Sequence, residues 1–326
     1  MERIDRRRFL TASSALAGGL ALGACSDDGA RTSSPSGPAA PASTVTGSHT
    51  GAAVTSPPTS TAPPAPPASS STASTAPDRS ADFDPTDWAS VRSQFALGDE
   101  AQFTAFVLAA HPRPVAEAIA RHRDALDRDG ERYLERIAAE GHGDPLVQAA
   151  AGEYLGTRGD QVALVQSTTM GLGLLYGSLR VRADQRVLTT DHDFFSTHQA
   201  WALRQLREGI AVDRVALYTD PAQADAAAIV DALMGAVTPA TRVVAVTWVH
   251  SGTGVKLPVR AIADALREVN AGRDPEDRAL LCVDGIHGFG VEDAGVADLG
   301  CDFLVSGTHK WLFGPRGTGI VWGAAG

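Results

Sequence analysis

Phe303-Leu304-Val305-Ser306 leads into Gly307-Thr308-His309-Lys310-Trp311-Leu312-Phe313-Gly314-Pro315-Arg316-Gly317: an apolar strand run that breaks into a glycine-rich turn carrying a lysine. Lys310 is one of only two lysines, with Lys256, although Lys and Arg together number 28. A chain that meets nearly every need for positive charge with arginine, yet keeps a lysine at a strand end, is using an amine. An amine can lose its proton and attack a carbonyl, which a guanidinium cannot do. Lys256 lies in a loop before Pro258 without such a setting and reads as a solvated charge.

Working outward, short apolar runs recur at 162–166, 186–190, 212–218, 243–248, 280–284, 303–306 and 319–322. Apolar residues at helical spacing fall at 115–126, 133–139, 170–179 and 259–269. Continuously apolar strands alternating with helices predict an α/β fold: a mostly parallel seven-stranded sheet with helices on both faces. In such sheets the ligand crevice lies at the carboxyl ends of the strands.

The first 25 residues read as an address. Arg6-Arg7-Arg8-Phe9-Leu10 fits a twin-arginine export signal, and Leu22-Gly23-Ala24-Cys25 resembles a lipobox that would place a lipid on Cys25. Residues 26–80 are Ser, Thr, Pro, Ala and Gly with almost no large apolar side chain, the composition of a disordered tether. The folded domain is expected over 81–326, in the cell envelope or secreted. A net charge of −10 argues against nucleic acid as a partner. Cys282 and Cys301, beside apolar runs, read as core residues.

Two strand ends carry polar groups suited to a site. Ser167-Thr168-Thr169 precedes a helix, where free backbone N–H groups favour an anion or serve as ordinary caps. Gly171, Gly173 and Gly177 fall inside that helix and lack dinucleotide-binding spacing, which disfavours a nicotinamide enzyme. Asp284 ends the fifth run in Val283-Asp284-Gly285-Ile286-His287-Gly288, and a carboxylate there needs a partner: a cationic heterocycle, a metal or a helix it caps. No His, Cys and acidic cluster at metal-ligand spacing accompanies it.

Asp284-Gly285-Ile286-His287, Ser306-Gly307-Thr308-His309-Lys310-Trp311 and Gly314-Pro315-Arg316-Gly317-Thr318-Gly319 together resemble the class V branch of fold-type I pyridoxal-phosphate (PLP) enzymes. That branch includes serine–pyruvate aminotransferases, cysteine desulfurases and isopenicillin N epimerase-like proteins, with the last group the most similar. The resemblance covers most of residues 100–326. It implies the large domain of that fold, pyridoxal 5'-phosphate as cofactor, an amino-acid or amine substrate and a homodimer. Residue by residue, it implies that Lys310 forms the Schiff base and shuttles the α-proton. Asp284 would pair with the pyridine nitrogen and His287 would lie near the phenolic oxygen. Thr168, Thr169 and His309 would hold the phosphate, Phe194 would cover the ring face with Phe195 as second choice, and Ser251 would approach the cofactor's oxygen. His111 would border the substrate or be an ordinary loop histidine. Transamination, epimerisation and elimination share this machinery. Relatives usually continue into a smaller C-terminal domain carrying the substrate-binding Arg and, in desulfurases, the persulfide Cys. A truncated chain, or a catalytically degenerate surface-tethered binding protein, is the competing expectation.

Overall fold

The computed structural model describes residues 83–324. The expected export signal, the lipid site at Cys25 and the tether of 26–80 lie outside them.

Seven strands form one sheet: β1 (Val162–Val165), β2 (Arg186–Thr190), β3 (Ala211–Val215), β4 (Thr241–Thr247), β5 (Leu280–Asp284), β6 (Phe303–Gly307) and β7 (Gly319–Gly323). Their order is β1-β7-β6-β5-β4-β2-β3. The pairs β2/β3, β2/β4, β4/β5 and β5/β6 are parallel, whereas β7 runs antiparallel to both β1 and β6. The sheet is therefore mostly parallel, with a single reversed strand, and six strands bring their carboxyl ends to one edge. The strand expected to reach residue 218 stops at Val215, which leaves Leu217 and Tyr218 in the turn beyond that edge.

Eight helices accompany the strands among the described residues: α1 (Trp88–Ser93), α2 (Arg113–Ala139), α3 (Asp144–Leu155), α4 (Thr168–Ser178), α5 (Phe195–Glu208), α6 (Ala226–Ala236), α7 (Val259–Asn270) and α8 (Val296–Leu299). The two periodic runs at 115–126 and 133–139 join as α2, kinked where Asp129 leaves helical geometry (φ −161°, ψ 82°).

Alternate side chains along each strand supply two cores, as a sheet buried on both faces requires. Val244, Val246, Leu281, Val283 and Leu304 pack with residues of α3, α6 and α7. Val243, Ala245, Cys282 and Val305 pack instead with Leu172 and Tyr176 of α4 and Trp201 of α5. Cys282 and Cys301 are both free and buried. Gly171 has a packing role inside α4: a Cβ there would lie 2.6 Å from Val305 Cγ1 and 3.0 Å from Val321 Cγ2. Its absence lets α4 seat directly on the sheet and sets the helix N-terminus beside the end of β6.

Candidate active site

The turn between β1 and α4 meets the end of β6. Ser167 caps α4 by accepting from Met170 N, and the buried Thr168 accepts Gly307 N–H at its Oγ1 over 2.7 Å. That contact uses the oxygen as an acceptor and leaves the Thr168 hydroxyl proton to donate to a ligand. Thr169, one residue on, is exposed. His309 is partly buried, and its ring packs against Gly307, where a Cβ would come within 2.9 Å of it. A helix N-terminus, a hydroxyl and an imidazole thus converge where an anion would be held.

Lys310 Nζ lies 3.3 Å from His287 Nε2, and Trp311 Nε1 donates to His287 Nδ1 over 3.0 Å. Burial lowers the Lys310 pKa while Asp284 opposes the shift, and His287 is held at about 4 by burial and then by the charge of Lys310. The lysine backbone is fixed as well. Phe313 N–H donates to Lys310 O at 3.2 Å, and Phe313 sits in the left-handed region (φ 58°). Phe95 meets its ring edge-on at 5.3 Å, and His111 Nδ1 lies 3.4 Å from its carbonyl oxygen. His111 therefore braces the lysine turn.

Asp284, at the end of β5, is 1% exposed. Its Oδ1 accepts Ile286 N–H at 3.0 Å, yet burial dominates and pushes its pKa up to about 7. It is a carboxyl group that a cationic partner would ionise.

Next to β4 the structure assembles groups that the sequence did not flag. Tyr218 shares its hydroxyl with His250 Nδ1 and Thr253 Oγ1, each at 2.7 Å, and stacks on His192 at 3.9 Å. Asp193 Oδ2 accepts from Thr189 Oγ1 and Thr190 N, while Asp193 Oδ1, Thr247 Oγ1 and His250 Nε2 are buried with no partner. Burial holds the His250 pKa at about 4. Phe194 is 42% exposed at the start of α5, with its ring tilted against Phe195 at 4.4 Å. The ring-stacking position expected for Phe194 thus lies two residues from His192, one partner of the half-buried His192–Tyr218 stack.

A cavity of about 370 Å³ opens beside His287, Ser251 and Trp311. Lys256 lines it too: it is the exposed charge that the sequence suggests, and its Nζ lies 3.0 Å from Glu292 Oε2. The pairing partner is 36 residues away in sequence and reaches it only through the fold.

A family model described as aminotransferase class-V matches residues 148–325. Isopenicillin N epimerase of Amycolatopsis lactamdurans is 27% identical over 243 residues, covering 72% of this chain and 57% of that protein. The Streptomyces clavuligerus isopenicillin N epimerase is 30% identical over 164 residues, covering 49% and 38%. The chain thus spans 57% of the first of these relatives and 38% of the second. Among solved structures, a C-DES variant with glycine covalently linked to its PLP cofactor superposes with a TM-score of 0.63 at 21% identity, covering 72% of this chain and 59% of that one. The apo cysteine desulfurase of Thermococcus onnurineus gives 0.58 at 19%, covering 74% and 57%. These structural likenesses bear on the fold.

Proposed function

Because the chain belongs to the aminotransferase class-V family, we propose that it carries the cofactor-binding part of a PLP-dependent enzyme acting at the α-carbon of an amino acid, with Lys310 as the amine that holds the cofactor. One observation carries this reading: Lys310 Nζ stands 3.3 Å from His287 Nε2, one strand away from a fully buried Asp284.

The residues present fit the group. Asp284 is a buried carboxyl without a cationic partner in hydrogen-bond contact, suited to a protonated pyridine nitrogen. The α4 N-terminus, the Thr168 hydroxyl and His309 suit a phosphate, and Ser251 and His287 border the cavity where a phenolic oxygen and a substrate would lie. When bound, PLP supplies an electron sink that lets an attached amino acid lose its α-proton. The chain's part is to position and to move protons. Lys310, its pKa lowered by burial, takes and returns a proton at Nζ, and His287 orients it. The low-dielectric wall of β5 keeps water from the Asp284 carboxyl.

Export by the twin-arginine route, a lipid on Cys25 and a homodimer belong to the same proposal. Arg6-Arg7-Arg8 and Leu22-Gly23-Ala24-Cys25 support the first two. Transamination, epimerisation and elimination are all compatible with a lysine that handles one proton.

The test is chemical. The full chain is incubated with PLP, reduced with borohydride and mapped by peptide mass. A pyridoxyl adduct on Lys310 is expected; an adduct confined to Lys256, or none on folded protein, overturns the proposal.

A further inference from the structure

The chain's other lysine borders the same cavity as His287. The hairpin that carries it turns at Gly254, whose φ of +72° suits glycine, and His250 N–H donates to Val255 O at 3.0 Å. Lys256 is thereby returned opposite Val249, two residues before Ser251. Glu292 arrives from the turn after His287, where its N–H donates to Gly288 O at 2.9 Å. The two segments that carry Ser251 and His287 also carry the Lys256–Glu292 pair, so any change of geometry at one is felt at the other.

Stability does not account for this pair. An exposed ion pair of this kind is worth roughly 0–1 kcal/mol, and an arginine would grip Glu292 with two parallel hydrogen bonds. The chain uses arginine almost everywhere else. A lysine ammonium differs in holding three donors on a flexible stem; Glu292 takes one, leaving others for a ligand. The second Glu292 oxygen likewise remains to accept. Beside this polar rim the cavity exposes apolar surface, with Phe106 46% and Val291 49% accessible and Trp311 alongside. Apolar walls that end in one cation and one anion are complementary to a methylene chain ending in a zwitterion.

We propose that this cavity is a subsite for the far end of the substrate, and that Lys256 and Glu292 recognise a second amino-acid head group there. The carboxylate meets Lys256, the ammonium meets Glu292, and the methylenes lie on Phe106, Val291 and Trp311. This subsite rests on the reading that Lys310, 3.3 Å from the cavity-lining His287, holds the cofactor. It narrows the substrate class to α-amino acids charged at both ends.

The experiment uses the full chain loaded with PLP and follows ligand binding through the cofactor's visible spectrum. The ligands are meso-2,6-diaminopimelate and 2-aminoheptanoate, which share a seven-carbon chain and differ at the far end. The wild type is expected to prefer diaminopimelate by about tenfold or more, the value of one or two charge-assisted hydrogen bonds. Lys256→Met should abolish that preference and leave 2-aminoheptanoate binding and the melting temperature unchanged, while Lys256→Arg should retain part of it. Equal affinities in the wild type, or a Lys256→Met variant that weakens both ligands alike, overturn the subsite while the cofactor spectrum stands. If no cofactor band forms in any titration, the Lys310 reading fails and takes the subsite with it.

Discussion

Trp311 donates its indole N–H to His287 Nδ1 while His287 Nε2 faces Lys310 Nζ. An indole nitrogen can only donate, so Nδ1 must accept and the proton of the neutral imidazole sits on Nε2. With its pKa held at about 4, His287 is neutral near pH 7. An Nε2–H directed at Lys310 requires a lone pair on the amine, so this contact favours the free base over the ammonium. In the cofactor-free protein, nitrogen-15 NMR of His287 should show the Nε2–H tautomer between pH 6 and 8. Trp311→Phe removes one net hydrogen bond, about 0.5–1.5 kcal/mol, and should shift the tautomer ratio by up to about tenfold. A protonated Nδ1 in the wild type would contradict the assignment.

Asp284 links burial to pH. Its folded pKa of about 7 stands above the ordinary value of 3.8, so the native state binds more protons than the unfolded chain between those limits. The favourable contribution is full below pH 3.8 and is lost as pH rises through 7. That loss is on the order of 4 kcal/mol at about 1.4 kcal/mol per pH unit. His287 and His250 act in the opposite sense: their folded values near 4 lie below 6.5, so their contribution is full above 6.5 and fades as pH falls through 4. Comparing Asp284→Asn with the wild type isolates the first effect. In cofactor-free protein the variant should gain relative stability as pH rises from 4 to 7, by denaturant unfolding; parallel curves would show that the carboxyl is not desolvated.

Strands buried on both faces leave a strong mark in sequence, because every residue of Val243, Val244, Ala245 and Val246 is apolar. The reversal of β7 leaves none, since an antiparallel strand between two parallel ones presents the same apolar run. Lys310, Asp284 and His287 were legible because each follows an apolar strand in a recognisable local setting. Trp311 lies in that motif too, but its role depends on reaching His287 across 24 residues. Tyr218 and His250 are 32 residues apart and meet only because β3 and β4 end at the same edge. Lys256 is the exposed loop charge that the sequence suggests, but nothing local announces its pairing with Glu292.

Gly171 separates two opposing effects. Alanine would favour the helix by up to about 1 kcal/mol. Its Cβ, however, would press on Val305 Cγ1 at 2.6 Å, and a short branched side chain in a packed core cannot swing away. Overpacking costs about 1–3 kcal/mol, so Gly171→Ala should lower stability on balance. Adding Val305→Ala should recover part of the Gly171→Ala loss by making room. Thermal unfolding of the single and double variants checks this; a Gly171→Ala protein more stable than the wild type would mean that α4 does not seat as described.

Phe313 holds the backbone that carries Lys310 in a conformation glycine prefers, secured by the edge of Phe95 and by His111. Both Phe313→Ala and Phe313→Gly lose the ring contact, but only glycine also relieves the left-handed strain, worth roughly 1–2 kcal/mol. The glycine variant should therefore be the more stable of the two by about 1 kcal/mol, the reverse of the usual alanine–glycine order in helices. Cofactor capture should follow a different order. A glycine leaves the Lys310 turn free to move, so Phe313→Gly should load PLP more slowly than the wild type despite its relaxed backbone. Denaturant melts read the first effect and the growth of the cofactor's visible band reads the second; an alanine variant at least as stable as the glycine one would show that residue 313 is not left-handed in solution.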